Sequence, residues 1–476
     1  MARPDVPSRV LEWTDRPTAA RLLAAQAFTR AAGAPLVAGN AVRLLRDGAQ
    51  NYPAWLEAIA GARRSIHMDT YFIHADAVGD RFAEALVAKA AEGVRVRLVY
   101  DWVGALSGGR RRLWRRLRAG GVEVRAFNVP RLGRPLGLLA RDHRKCVVVD
   151  GQRAFVSGLC VGQAWEGWPE RGIPGWRDTG VEIRGPAVAD VARAFAETWA
   201  ACGDPLPEED GHPPALEEEG DVALRVVATT SGTSGLFRLD SVVAALARRT
   251  LWLTDAYYAG TPSYLQALRA AARDGVDVRL LVPGSGNDIA VMQAVSRAGY
   301  RPLLDGGVRV FEWNGPMLHA KTAVADAQWA RVGSSNLNLA SWIGNWELDV
   351  VVENEAFGSA MEAMYLEDLS NATEIVLEQR RRVRPAGDVA RAARRRVAGA
   401  TTRAAAGALR IGHSLGSAFT SRRLHGPAER RLMVKGGLVL ALTAALAFAW
   451  PRLVAWPLGA VCLWLALSLL LGGRRR

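Results

Sequence analysis

Residues 63–76, RRSIHMDTYFIHAD, open a series that continues with RFAEALVAKAAEG (81–93), VRVRLVYD (94–101) and GGVEVRAFN (120–128). The same series recurs as RTLWLTDAYYAG (249–260), SYLQALRAAARDG (263–275), VDVRLLVPG (276–284) and GGVRVFEWN (306–314). In both copies, short runs rich in β-branched and aromatic residues alternate with Leu- and Ala-rich stretches of helical spacing. The pattern predicts strand, amphipathic helix, strand, helix, strand. A duplicated unit of this kind is an α/β fold with crossover helices.

Each series runs into one motif. HRKCVVVD (143–150) carries His143, Lys145 and Asp150, and HAKTAVAD (319–326) carries His319, Lys321 and Asp326. Residues two apart on a strand share a face, so each His projects with its Lys while the valines pack behind. An imidazole beside an ammonium suits phosphate chemistry: the ammonium holds phosphoryl oxygens and the imidazole attacks or moves a proton. One such pair is an ordinary surface strand, whereas two at matching points of a duplication point to function.

The net charge of +14 does not belong to this core. Fifteen Lys and Arg between Arg380 and Lys435 face only Asp388 and Glu429, and residues 1–379 are close to neutral. A basic segment before an apolar one is what an anionic membrane surface attracts. The apolar runs Gly436–Trp450 and Leu453–Leu471, separated by Pro451 and Arg452, predict a transmembrane helical hairpin with both ends on the cytoplasmic side. The N-terminus shows no apolar signal-peptide core, so the catalytic part is expected in the cytoplasm. Cys146, Cys160, Cys202 and Cys462 show no paired spacing and point to a reducing compartment.

Gly203–Gly220, with four prolines, seven acids and no base, reads as a solvated linker. The expected organisation is an N-terminal segment (1–35), a first domain (36–202), the linker (203–220), a second domain (221–384), a basic juxtamembrane segment (385–432) and the hairpin (433–471).

With GNAVRLLRDG, the strand bearing Tyr71, YDWVG, GSSNLN, WRDTGVEIRGPAV and NWELDVVVEN added to the two motifs, the chain resembles the phospholipase D superfamily from about Ala38 to Arg384. Among its branches it is most similar to bacterial cardiolipin synthases, the B-like branch in particular. The resemblance implies two tandem α-β-α domains related by a pseudo-two-fold axis, with both motifs at one active site. It also implies a phosphohistidine intermediate and no metal or other cofactor.

Carried over by position, His143 is the nucleophile and His319 the general acid and later base. Lys145 and Lys321 clamp the phosphate, with Ser334 and Asn336 binding substrate beside them. Glu347 is expected to hold the far nitrogen of His319, and Asp178 that of His143. Asp150 and Asp326 belong to the motifs, but each closes its strand at a turn, which favours a structural role. The first half departs from the pattern, since SGLC (157–160) stands where GSSN (333–336) stands. Cys160 thus replaces the asparagine with a poor donor.

His67 and His74 read as structural rather than as metal ligands. The stretch with Trp165, Trp168 and Trp176 reads equally as a membrane-dipping loop or as packing. The insertion with Arg131 and Arg134 is a candidate lipid gate. The expected substrates are phospholipids, phosphatidylglycerol or phosphatidylethanolamine, at an anionic bacterial inner membrane, with no nucleic-acid partner. A hydrolytic phospholipase D, a nuclease and an inactive lipid-binding scaffold are the rival functions. The neutral core and the membrane segment weigh against the nuclease.

Overall fold

The computed structural model describes residues 16–106, 111–130, 140–211, 216–377 and 383–385, with four isolated positions between 456 and 464. The insertion with Arg131 and Arg134, the basic segment and nearly all of the expected hairpin lie outside the described residues. Among the described residues no helix is long and apolar enough to cross a membrane.

The first half runs α1 (Arg16–Ala32), β1 (Val37–Arg46), α2 (Asp47–Gly61), β2 (Ser65–Thr70), α3 (Ala77–Ala91), β3 (Arg95–Asp101), α4 (Trp102–Ala105), α5 (Arg111–Ala119) and β4 (Glu123–Phe127). Then come β5 (Cys146–Val149), β6 (Arg153–Ser157), α6 (Gln163–Glu166), the hairpin β7 (Gly167–Trp168) and β8 (Ile173–Pro174), β9 (Thr179–Arg184) and α7 (Val188–Cys202). After the helical turn α8 (Glu208–Gly211), the second half repeats the plan: β10 (Val222–Thr229), α9 (Gly235–Leu246), β11 (Thr250–Thr254), α10 (Pro262–Arg273), β12 (Asp277–Pro283), α11 (Ala290–Leu304) and β13 (Arg309–Trp313). It closes with β14 (Thr322–Ala325), β15 (Trp329–Gly333), a π-helical turn (Ala340–Gly344), β16 (Glu347–Glu353), α12 (Glu355–Ser370), β17 (Ala372–Leu377) and β18 (Val383–Pro385).

Apart from β7 and β8, all the strands join one sheet in the order β18-β17-β13-β12-β11-β14-β15-β16-β10-β1-β9-β6-β5-β2-β3-β4. Read outward from the antiparallel pair β1 and β10, the two halves mirror each other, β9 with β16, β6 with β15, β5 with β14 and β2 with β11. The crossover strands β2, β3 and β4 are parallel, as are β11, β12 and β13, as the alternating strand and helix signals predict.

The pleat sorts the core. On β5, Val147 and Val149 face α2, α3 and α5, whereas Cys146 and Val148 face α7. Both faces of the sheet are therefore covered by helices, and the short apolar strands β5 (CVVV) and β14 (TAVA) are buried on both sides. The acidic linker is less solvated than its composition suggests: Leu206 is buried, and Asp210 sits between Arg95 and Arg97 at 2.8 and 2.7 Å.

Candidate active site

Strand β2 pairs antiparallel with β5, placing Asp69 opposite Cys146, so His143 and Lys145 lie beside the C-terminal end of β2. The pairing of Thr254 with Thr322 places His319 and Lys321 in the same way at the end of β11. Two long-range backbone contacts then bring the halves together. The amide of His143 donates to the carbonyl of Trp346 at 2.8 Å, and that of His319 to the carbonyl of Arg177 at 2.7 Å. Each histidine is thereby stitched to the residue just before the carboxylate of the opposite half.

The side chains follow. His143 Nδ1 donates to Glu347 Oε2 at 2.8 Å, and His319 Nδ1 donates to Asp178 Oδ2 at 2.8 Å. This corrects the sequence expectation, which paired Glu347 with His319 and Asp178 with His143. Asp178 and Glu347 stand at the starts of β9 and β16, the strands that flank the β1–β10 seam, and each acid reaches across it. A carboxylate behind an imidazole fixes the tautomer with hydrogen on Nδ1, leaves Nε2 to react, and stabilises the imidazolium once formed.

Both lysines turn back onto the motif, Lys145 Nζ donating to the His143 carbonyl at 2.6 Å and Lys321 Nζ to the His319 carbonyl. Lys321 Nζ also lies 3.2 Å from His319 Nε2. Tyr71 and Tyr257 occupy equivalent places: the ring centroid of Tyr71 is 5.4 Å from Lys145 Nζ and 5.3 Å from that of His143, and Tyr257 stands 5.8 Å from each counterpart. The tyrosines follow β2 and β11 in MDTY and TDAY, whose aspartates Asp69 and Asp255 are buried.

The supports of the two carboxylates differ. Ser334 Oγ donates to Glu347 Oε2 at 2.6 Å, and Asn345 Nδ2 to Oε1 at 3.1 Å. In the first half Gly158 stands at the serine position, where any side chain would collide with the Asp178 carboxylate. The missing donor is supplied by Trp165, whose Nε1 donates to Asp178 Oδ2 at 2.9 Å while its ring meets that of His319 edge-on at 5.3 Å. Trp165 is buried and Trp176 packs against it, so the Trp165 ring belongs to the site. Only a tryptophan-rich stretch of the right loop signalled this role in the sequence. Cys160 is buried, as is Asn336, whose Oδ1 has no hydrogen-bond partner among the described residues.

Electrostatics separate the groups further. Burial, reinforced by the Lys321 ammonium, pulls the His319 imidazole down to about 3. Burial also lowers Lys321 to about 8, with the like charge of Lys145 adding to it. For Asp178 burial acts upward, but His319, Lys321 and Trp165 together hold the carboxyl below its usual range. Glu347 is raised, because burial outweighs the pull of Lys145. Burial pushes Asp255 to about 7 and Asp69 to about 6.

Asp150 and Asp326, although part of the two motifs, stand at the far end of their strands from the histidines, in a structural role and not a catalytic one. The Asp150 carboxylate accepts the amides of Arg63, Arg64 and Ser65 at 2.7 to 2.9 Å, and that of Asp326 those of Arg248, Arg249 and Thr250 at the same range. Each caps the start of a crossover strand. His67 stacks on Phe195 at 4.7 Å beside Arg97, a packed structural position. Among the described residues no group of three or more His, Cys, Asp or Glu side chains is placed to share a metal ion.

The chain is similar to known proteins along most of its length. The family described as cardiolipin synthase, PLD-like domain, matches residues 55–199 and 244–369. Cardiolipin synthase A of Pseudomonas aeruginosa (strain LESB58) is 36% identical over 385 residues, covering 78% of this chain and 76% of that protein. The enzyme of the same name from Pseudomonas entomophila (strain L48) is 35% identical over 357 residues, covering 73% and 72%. These relatives carry the A designation and lend no support to the B-like branch. In fold, the chain resembles phosphatidylserine synthase of Haemophilus influenzae Rd KW20, with a TM-score of 0.58 at 13% identity over 74% of this chain and 91% of that one.

Proposed function

The chain belongs to the phospholipase D-like family of cardiolipin synthases, and on that premise we propose a specific course for its reaction. It is a phospholipase D-type phosphatidyltransferase that makes cardiolipin. One imidazole Nε2 attacks the phosphorus of a donor phospholipid, and the bond to the headgroup oxygen breaks. The other imidazole gives its proton to the departing alkoxide. That second imidazole then takes the proton of a phosphatidylglycerol hydroxyl, whose oxygen attacks phosphorus and frees the first histidine. Two molecules of phosphatidylglycerol give cardiolipin and glycerol, and a phosphatidylethanolamine donor gives ethanolamine instead. Lys145 and Lys321 hold the non-bridging oxygens, with Asn336 on the second-half side, while Ser334, expected from the sequence to bind substrate, is committed to Glu347.

The observation that carries this reading is the crosswise pairing His143 with Glu347 and His319 with Asp178, which leaves two Nε2 atoms and two ammonium groups to meet one phosphodiester. Incubating the full chain with phosphatidylglycerol vesicles and identifying products by mass spectrometry tests it. Cardiolipin plus glycerol is expected, whereas phosphatidic acid alone would make the enzyme a hydrolase, and no change would make it a scaffold. His143→Ala and His319→Ala are each expected to abolish turnover.

The order of the two histidines has two readings. The resemblance assigns attack to His143. Burial disfavours the imidazolium form of His319, which weighs against His319 as the proton donor and for it as the nucleophile. Acid quenching during turnover and peptide mapping of the phosphatidyl adduct decides between them. We further propose that residues 433–471 anchor the enzyme in the bacterial inner membrane as a hairpin, with the core on the cytoplasmic side.

A further inference from the structure

The site lies at one end of the sheet, where β2, β3, β4, β11, β12 and β13 terminate and the motif strands β5 and β14 begin. Four large aliphatic side chains are exposed on loops that leave this same end. Leu106, 51% exposed, follows α4 at the end of β3, and Val129, 41% exposed, comes two residues after β4. Ile173, 45% exposed, lies in the β7–β8 hairpin between Trp165 and Trp176, and both of these rings touch His319. Ile343, 48% exposed, lies in the π-helical turn four residues before Glu347.

Single exposed aliphatics are ordinary on a soluble surface, and Leu23, Leu36, Leu246, Leu366 and Val376 are scattered examples elsewhere. The four at the site end differ in position, because they come from both halves of the chain. Ile173 and Ile343 lie within five residues of Asp178 and Glu347. Leu106 follows Asp101, whose carboxylate accepts the amide of Asp142 beside His143, and Val129 follows Phe127, whose ring packs on Trp346. Charge accompanies them. Helix α5, RRLWRRLRA, contains no acid, and its Trp114 stacks on Tyr100 near the end of β3 at 3.9 Å, which sets the exposed Arg111 and Arg112 at the site end.

We propose that Leu106, Val129, Ile173 and Ile343, with Arg111 and Arg112 beside them, form a membrane-docking face that seats the mouth of the active site on an anionic phospholipid bilayer. The proposal rests on the phosphatidyl-transfer reading above. A substrate with two acyl chains cannot leave the bilayer cheaply, at about 0.8 kcal/mol for each methylene exposed to water. Apolar side chains inserted at the rim, with guanidinium groups at the headgroup level, let the phosphodiester reach the imidazoles while the acyl chains stay in the membrane. The C-terminal apolar segments can attach the chain to a membrane, but attachment alone does not orient the mouth.

The test uses full-length protein carrying Leu106→Asp, Ile173→Asp and Ile343→Asp together, with Arg111→Glu/Arg112→Glu as a separate variant. Each is assayed on phosphatidylglycerol vesicles and on monomeric short-chain phosphatidylglycerol below its micelle concentration. The vesicle rate is expected to fall about tenfold or more in the aliphatic variant, with the monomeric rate within about twofold of the parent. The arginine variant is expected to lose rate on anionic vesicles and to respond weakly to added salt. Unchanged vesicle rates, or equal losses on both substrates, would overturn the proposal. So would a change of oligomeric state in sedimentation, which would assign the face to a second copy of the chain. If the unmodified enzyme forms no cardiolipin from either substrate, the underlying functional reading fails instead.

Discussion

Replacing Asp178 by Asn probes the crosswise site most directly. Its Oδ2 accepts from both His319 Nδ1 at 2.8 Å and Trp165 Nε1 at 2.9 Å, and its Oδ1 accepts from the amide of Thr179 at 2.8 Å. Every position is met by a donor, so an amide NH₂ must face one of them, most cheaply Thr179. The larger loss is charge. An imidazolium and a carboxylate at this hydrogen-bond distance have charge centres roughly 4 Å apart, worth about 4 kcal/mol at an effective dielectric of about 20. If His319 becomes cationic in the transition state, Asp178→Asn is expected to lower kcat by about 10³. The spectroscopic consequence is more discriminating. In protein selectively labelled with ¹⁵N-histidine, the low-field Nδ1 proton of His319 is expected to move on Asp178→Asn while that of His143 does not, and Glu347→Gln is expected to do the reverse. Assignment comes from His143→Asn and His319→Asn. Asp178→Asn moving the His143 proton and sparing that of His319 would refute the crosswise pairing.

Trp165→Phe keeps the ring against His319 but removes the indole donor to Asp178, and turnover is expected to fall about tenfold, the worth of one charge-assisted hydrogen bond of about 1.5 kcal/mol; steady-state assays showing no change would deny Trp165 this role. Asp326→Ala takes the acceptor from three backbone amides and leaves alanine at φ 53°, so it is expected to cost about 1 to 3 kcal/mol of stability with kcat kept below the melting range, read from urea midpoints and activity. His67 is lowered from 6.5 to about 4, chiefly by burial. Below the unfolded value the unfolded chain binds a proton that the folded chain refuses, so stability falls as pH drops from about 6.5 towards 4, by up to about 3 kcal/mol. His67→Phe keeps the stack on Phe195 and is expected to flatten that acid loss, as unfolding midpoints at pH 7 and pH 4.5 would report.

Much of this was legible along the chain. The duplicated strand and helix periods, the two motifs and the pairing of each His with its Lys on one strand face are local properties, set by residues a few positions apart and by the alternation of the pleat. The caps at Asp150 and Asp326 were legible too, because an acid at a strand end before a turn has an obvious local use. The site carboxylates were identifiable as residues but not as partners. Glu347 is 204 positions from His143 and Asp178 is 141 from His319, so each pairing depends on how the two halves meet at the seam. Internal symmetry suggested that each acid serves its own half. The packing decided otherwise, because Asp178 and Glu347 stand at the starts of strands that flank the seam, where each meets the histidine of the other half. The same holds for Trp165: only once Gly158 leaves room for the Asp178 carboxylate does an indole from another loop become the donor that Ser334 is in the second half. Periodicity and motif thus determined the elements and the reactive groups, while the tertiary structure determined which group holds which, since hydrogen-bond partners distant in sequence are chosen by the approach of surfaces and not by spacing along the chain.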